Sequence, residues 1–128
     1  IPYMEKSRQS KDQQQISSLA TSMVSAIAQD DSFDLATKAA TVDIMFELNK
    51  TNLTSKTSAT IESTFAELCG QADTDAVVTK VKSKFTSKKA KASENKLYVT
   101  LKADGSVTID LGTAAGTPAS AKLTVTTE

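Results

Sequence analysis

The sequence predicts an α+β domain: a long N-terminal α-helix laid on a small antiparallel sheet of about three C-terminal strands, with short helices between them. Three observations predict it. Apolar residues between Ile16 and Ile27 recur at helical spacing, the period changes to two after Lys96, and Asp104-Gly105 falls between two alternating runs. The 128 residues, 39% of them hydrophobic, suffice for one core, so the helix (1–28) and the head (29–128) are read as one domain.

In the first element Ile16, Leu19, Ala20, Met23, Val24 and Ile27 share one helical face, with Ser17, Ser18, Thr21, Ser22 and Ser25 on the other. Burying each large side chain is worth roughly 1.5–3 kcal/mol, which overrides the modest helix propensity of the serines. Glu5 to Gln15 is polar throughout but rich in helix formers, with Arg8 and Asp12 at i, i+4, and Pro2 fits just inside a helix start or at a kink in a longer helix. A helix over Tyr3–Ala28 would run about 39 Å. The domain should be about 30–35 Å across, from a radius of gyration near 14 Å. The first half of the helix is therefore expected to project from the head.

Asp30-Asp31-Ser32 breaks the helix. Leu35, Ala39, Val42, Met45 and Phe46 fit helical spacing over Phe33–Leu48, while a short strand over Val42–Leu48 fits as well. Lys50–Thr57, polar and rich in Thr and Ser, reads as a loop. Ser58 can cap a helix bearing Ile61, Phe65 and Leu68, closed by Gly70 in left-handed geometry. Asp73–Asp75 offer the next cap, before Val77, Val78, Val81 and Phe85; the end of that run also fits an alternating strand. Leu97, Val99 and Leu101 then alternate with polar residues, as do Val107, Ile109 and Leu111, and finally Leu123 and Val125. Asp104-Gly105 predicts a hairpin whose two central residues both take positive φ. Only the Ile16–Ile27 stripe is apolar and long enough to cover such a sheet.

Composition excludes several chemistries. The absence of His excludes His-based acid–base catalysis, a Ser-His-Asp triad and His-ligated metals, and one Cys excludes a disulfide framework or a Cys-cluster metal site. No enzyme, cofactor or metal site is expected. Cys69, behind Ile61, Phe65 and Leu68, reads as a buried thiol at a helix end. Asn49-Lys50-Thr51 and Asn52-Leu53-Thr54 match the N-glycosylation pattern, which is common in Thr-rich loops. No run of about 18–20 apolar residues is present, and the start at Ile1-Pro2 without Met suggests a processed or shortened chain.

Zero net charge conceals a segregation. Asp30–Asp75 holds nine acids against three lysines, and Lys80–Lys102 holds eight lysines against Glu94. The exposed cations Lys80, Lys82, Lys84, Lys88, Lys89 and Lys91 could meet the acidic segment of a neighbouring copy, or form a solvated face. Nucleic acid is a weaker expectation for them, because only Phe85 and Tyr98 flank the cluster and both suit the core and sheet better than base stacking.

Ile1-Pro2-Tyr3-Met4, the polar stretch Arg8-Gln9-Ser10-Lys11-Asp12 and the order of elements resemble a type IV pilin lacking its first segment. The motif covers Ile1–Ala28; the rest follows by order of elements alone. The resemblance implies a structural subunit of a surface filament serving adhesion, motility or biofilm formation. It also implies self-association, a membrane anchor before assembly and an extracellular location on the pilus. It places Pro2, Tyr3, Met4, Arg8 and Lys11 at the assembly interface. Cys69 alone cannot close the C-terminal disulfide of many Gram-negative pilins, and the Lys- and Thr-rich head is closer to those of Gram-positive bacteria such as clostridia. Nor is there a carboxylate cluster like the calcium site of the main secretion pseudopilin: Asp104 reads as a turn residue and Asp110 as a solvent-face one. The alternatives are a pseudopilin of a type II secretion or DNA-uptake machine, and a stand-alone surface adhesin or polyanion-binding domain.

Overall fold

The computed structural model describes residues 2–128, so the Ile1 half of the Ile1-Pro2 motif lies outside the described residues. A 27-residue helix, α1 (Pro2–Ala28), is followed by α2 (Leu35–Lys38), β1 (Ile44–Glu47), α3 (Lys50–Lys56), α4 (Ala59–Leu68), α5 (Thr74–Lys84) and α6 (Lys88–Lys91). The chain closes with β2 (Lys96–Leu101), β3 (Val107–Ala114), β4 (Thr117–Pro118) and β5 (Thr124–Thr127). The α+β architecture is as expected, with the long helix on an antiparallel sheet. The C-terminal strands are joined by β1 and the two-residue β4, giving five strands.

β1, β2, β3 and β4 lie in that order, and β5 pairs with the other half of the β3 edge that β4 uses. The register sets Phe46 opposite Val99, Val99 opposite Ile109, and Ile109 opposite Val125. Because side chains alternate across a sheet, this row and its neighbours Leu97, Leu101, Val107 and Leu111 share one face. Against that face pack Ile16, Leu19, Ala20, Met23 and Ala26 of α1, together with Ile61 and Phe65 of α4, in one continuous core.

The middle of the chain resolves the open readings and corrects one. Phe33–Leu48 is a single helical turn followed by strand β1, which pairs along β2. Thr74–Lys84 is helical: Asp73 accepts the Ala76 N–H at 2.8 Å, and Val77 and Val81, one turn apart, are both buried. The expected loop at 50–57 is instead α3. Its Asn49 cap accepts the Asn52 N–H at 2.7 Å, and Asp75, 25 residues away, accepts the Lys50 N–H at 2.9 Å. Leu53, fully buried, anchors the helix in the core, a tertiary gain that outweighs the poor propensity of Thr, Asn and Ser.

Ser58 caps α4 by accepting the Ile61 N–H at 3.0 Å, and Gly70 leaves the helix at φ +74°. The 102–105 turn departs from expectation in detail. Gly105 is left-handed at φ +92°, but Asp104 is not; its carboxylate accepts the Ser106 N–H at 2.9 Å instead.

Candidate assembly surface

The residues expected at the interface all belong to α1. Pro2 opens the helix, Tyr3 and Met4 are 81% and 46% exposed, and Arg8 and Lys11 are exposed on its flank. The expected projection of the helix's first half is corrected, however. Residues 5–12 are helical but tied to their own head along one stripe. Glu5 accepts the Lys88 and Lys89 N–H groups at 2.9 and 3.4 Å. Asp12, only 1% exposed, accepts the Thr86 and Ser87 N–H groups at 2.9 and 2.8 Å. Gln9 accepts the Ser120 hydroxyl at 2.6 Å and donates to Glu5 at 2.9 Å, and Lys122 donates to the Ser10 hydroxyl at 2.9 Å.

The physical reason is continuity. Glu5, Gln9, Asp12, Ile16, Leu19, Met23 and Ala26 step along the helix by four and three, so they form one stripe. Apolar periodicity finds only the part from Ile16 onward, because the first three members are polar. A carboxylate at the buried end of such a stripe is tolerated only when hydrogen-bonded, and the first N–H groups of a helix are unpaired donors. Asp12 meets that need at the entry to α6, where Ser87 also caps by accepting the Ala90 N–H at 3.1 Å. The expected Arg8–Asp12 pairing is thereby replaced, since both Asp12 oxygens face the 86–87 backbone. A polar stripe in register with the apolar one was the signal in the sequence.

Lys80, Lys82 and Lys84 are exposed on the last turns of α5, and Lys88, Lys89 and Lys91 are exposed on α6. Two of them, Lys80 and Lys84, edge a groove of about 390 Å³ between α1 and α5, floored by Leu19, Val77 and Val81. Cys69 lines the same groove. It caps α4, but it is half-buried where full burial was expected, since it faces the Ser22 side of α1 and not the core centre. Burial pushes its thiol pKa up, so it is held protonated and weakly nucleophilic.

Five of the nine acids of the acidic segment bind backbone. Asp30, Asp34, Glu62, Asp73 and Asp75 each accept a backbone N–H, from Ser32, Thr37, Thr74, Ala76 and Lys50 respectively. Asp110 is buried, not on an open solvent face. The 112–118 turn folds over it, and it accepts the Gly116 N–H at 2.7 Å and the Thr124 hydroxyl at 2.6 Å. Among the described residues no three His, Cys, Asp or Glu side chains stand close enough to hold a metal ion. No helix among them is long and apolar enough to cross a membrane. Comparison with family models, with curated proteins and with solved structures finds no match for this chain.

Proposed function

We propose that this chain is the head and helix stem of a type IV pilin, a structural subunit that polymerises into a surface filament. One observation carries the reading. α1 is bound to its head along a single stripe, while its opposite flank, from Met4 through Arg8, Lys11 and Gln14, stays open to solvent. A 27-residue helix spans about 40 Å, longer than any strand it covers, and its front turn ends in exposed Tyr3 and Met4. In this reading an apolar continuation ahead of the front turn anchors the subunit in the membrane and later bundles in the filament, and the heads tile the outside. Contacts that repeat head to tail without closing generate helical filaments.

The coding region upstream of Ile1 tests this directly. A short basic leader followed by about twenty apolar residues is expected; an ordinary cleaved signal peptide would overturn the reading. Electron microscopy of cells producing the full-length protein should then find filaments labelled by antibodies to the head.

The six exposed lysines favour a second reading, a surface domain that binds an anionic polymer. A DNA shift assay across salt concentrations separates the two, since phosphate binding by these lysines must weaken steeply as salt rises.

A further inference from the structure

The large hydrophobic side chains exposed among the described residues are Tyr3, Met4, Val42, Met45 and Leu68. Four of them fall in two pairs along the chain, Tyr3 with Met4 and Val42 with Met45, and the topology sets those pairs at opposite ends of the domain. Tyr3 and Met4 precede Glu5, which bonds the backbone of Lys88 and Lys89; Asn95 in turn donates to the Lys89 carbonyl at 2.8 Å, one residue before β2 begins. Val42 and Met45 flank Ile44, which pairs with Leu101, the last residue of β2. The length of β2 therefore separates the pairs, about 17 Å for five residue steps.

Charge divides the same way. Around the front turn stand exposed Lys6, Arg8, Lys88, Lys89 and Lys91, against Glu94. The far end presents Asp31 after α1, Asp34 before α2, Asp43 before β1 and Asp104 in the hairpin turn, against Lys38 and Lys102. Val42 (73% exposed) and Met45 (51%) thus sit in an acidic surround, and Tyr3 and Met4 in a basic one.

We propose that the Tyr3–Met4 pair of one copy docks on the Val42–Met45 pair of the next, with Lys6 and Arg8 facing Asp43. The proposal rests on the filament reading and supplies its axial contact. The two surfaces are different and lie at opposite ends, so the contact is heterologous and propagates instead of closing into a dimer. Opposite charge around the two apolar pairs fixes orientation, because front-to-front or far-to-far pairing sets like charges together.

The test is cysteine cross-linking in the full-length protein carrying Cys69→Ser. Met4→Cys and Val42→Cys are introduced singly and together; both sites are exposed, so folding is preserved, which circular dichroism checks. Filaments are scored by electron microscopy, and oxidised samples are run on denaturing gels. The expected result is a ladder of multimers from the double variant and monomer from each single one. Filaments without a ladder, or dimers from either single variant, overturn this contact and leave the filament reading intact. Absence of filaments in the unsubstituted protein overturns both. Adding Arg8→Glu should weaken the ladder about tenfold, and Asp43→Lys in the same chain should restore it. Loss without restoration would remove the charge pairing.

Discussion

Asp12 shows how one polar side chain decides the placement of a helix. Its carboxylate, buried at the joint between α1 and α6, receives two backbone N–H groups from residues more than seventy positions away. Hydrogen bonds to a charged group contribute about 1.5–3 kcal/mol each, and a buried donor left alone costs about 1–3 kcal/mol. Asp12→Ala should therefore lower unfolding stability by about 2–4 kcal/mol in urea, with Asp12→Asn losing less because its amide oxygen still accepts one bond. An exposed neighbour, Lys11→Ala, should change it by less than about 0.5 kcal/mol.

The carboxylates of Glu5, Asp30, Asp34 and Asp104 carry a pH dependence. Each is held below the ordinary range, chiefly by a hydrogen bond: from the Gln9 amide, the Ser32 hydroxyl, the Thr37 hydroxyl and the Ser106 N–H respectively. Below about pH 5 the unfolded chain takes up protons before the folded one does, so stability rises with pH in that window. The contribution is complete at neutral pH and is lost as pH falls through the folded values. Urea midpoints measured from pH 6 to pH 2 should decline only below about pH 5; a flat profile would contradict this.

At the scale of elements, short helices survive on caps and single anchors. α3 has seven residues, one fully buried side chain and two distant or local acceptors for its first N–H groups. Isolated, it would be far below the length at which helices persist in water. α4 depends on Ser58, which both accepts the Ile61 N–H and donates to Asp30 at 2.7 Å, tying the start of α4 to the end of α1. Ser58→Ala should cost about 1–2 kcal/mol, more than Ser63→Ala on the exposed side of the same helix. Hydrogen exchange would locate the loss in the first turn of α4.

For the whole molecule, the consequential feature is the separation of charge along the helix axis. The chain is neutral, yet Lys6, Arg8, Lys88, Lys89 and Lys91 stand at the front turn, and several carboxylates remain at the far end. In the proposed filament, assembly through unlike ends should weaken with ionic strength, since exposed charges are screened beyond about 10 Å at 0.1 M salt. Sedimentation of filaments between low and high salt checks this: slower association and a larger soluble fraction are expected at high salt. Indifference to salt would leave the lysines as a solvated face.

Local pattern in the sequence determined a good deal by itself: the helix from Ile16 onward, the caps at Ser58 and Asp73, the turn at Gly70, and the hairpin around Gly105. Each of these is a short-range effect, in which spacing or one side chain acts on backbone a few residues away. Tertiary structure alone decided the remainder. Ile44–Glu47 became a strand because β2 offered it an edge, and Lys50–Lys56 became a helix because Leu53 found the core and Asp75 its first N–H. The polar half of α1 lies on its head because Glu5, Gln9 and Asp12 meet donors in residues 86–89 and 120. Apolar burial leaves a period in the chain that can be read directly. A hydrogen bond between distant residues leaves none, since either partner looks like any other surface polar group until the fold brings them together.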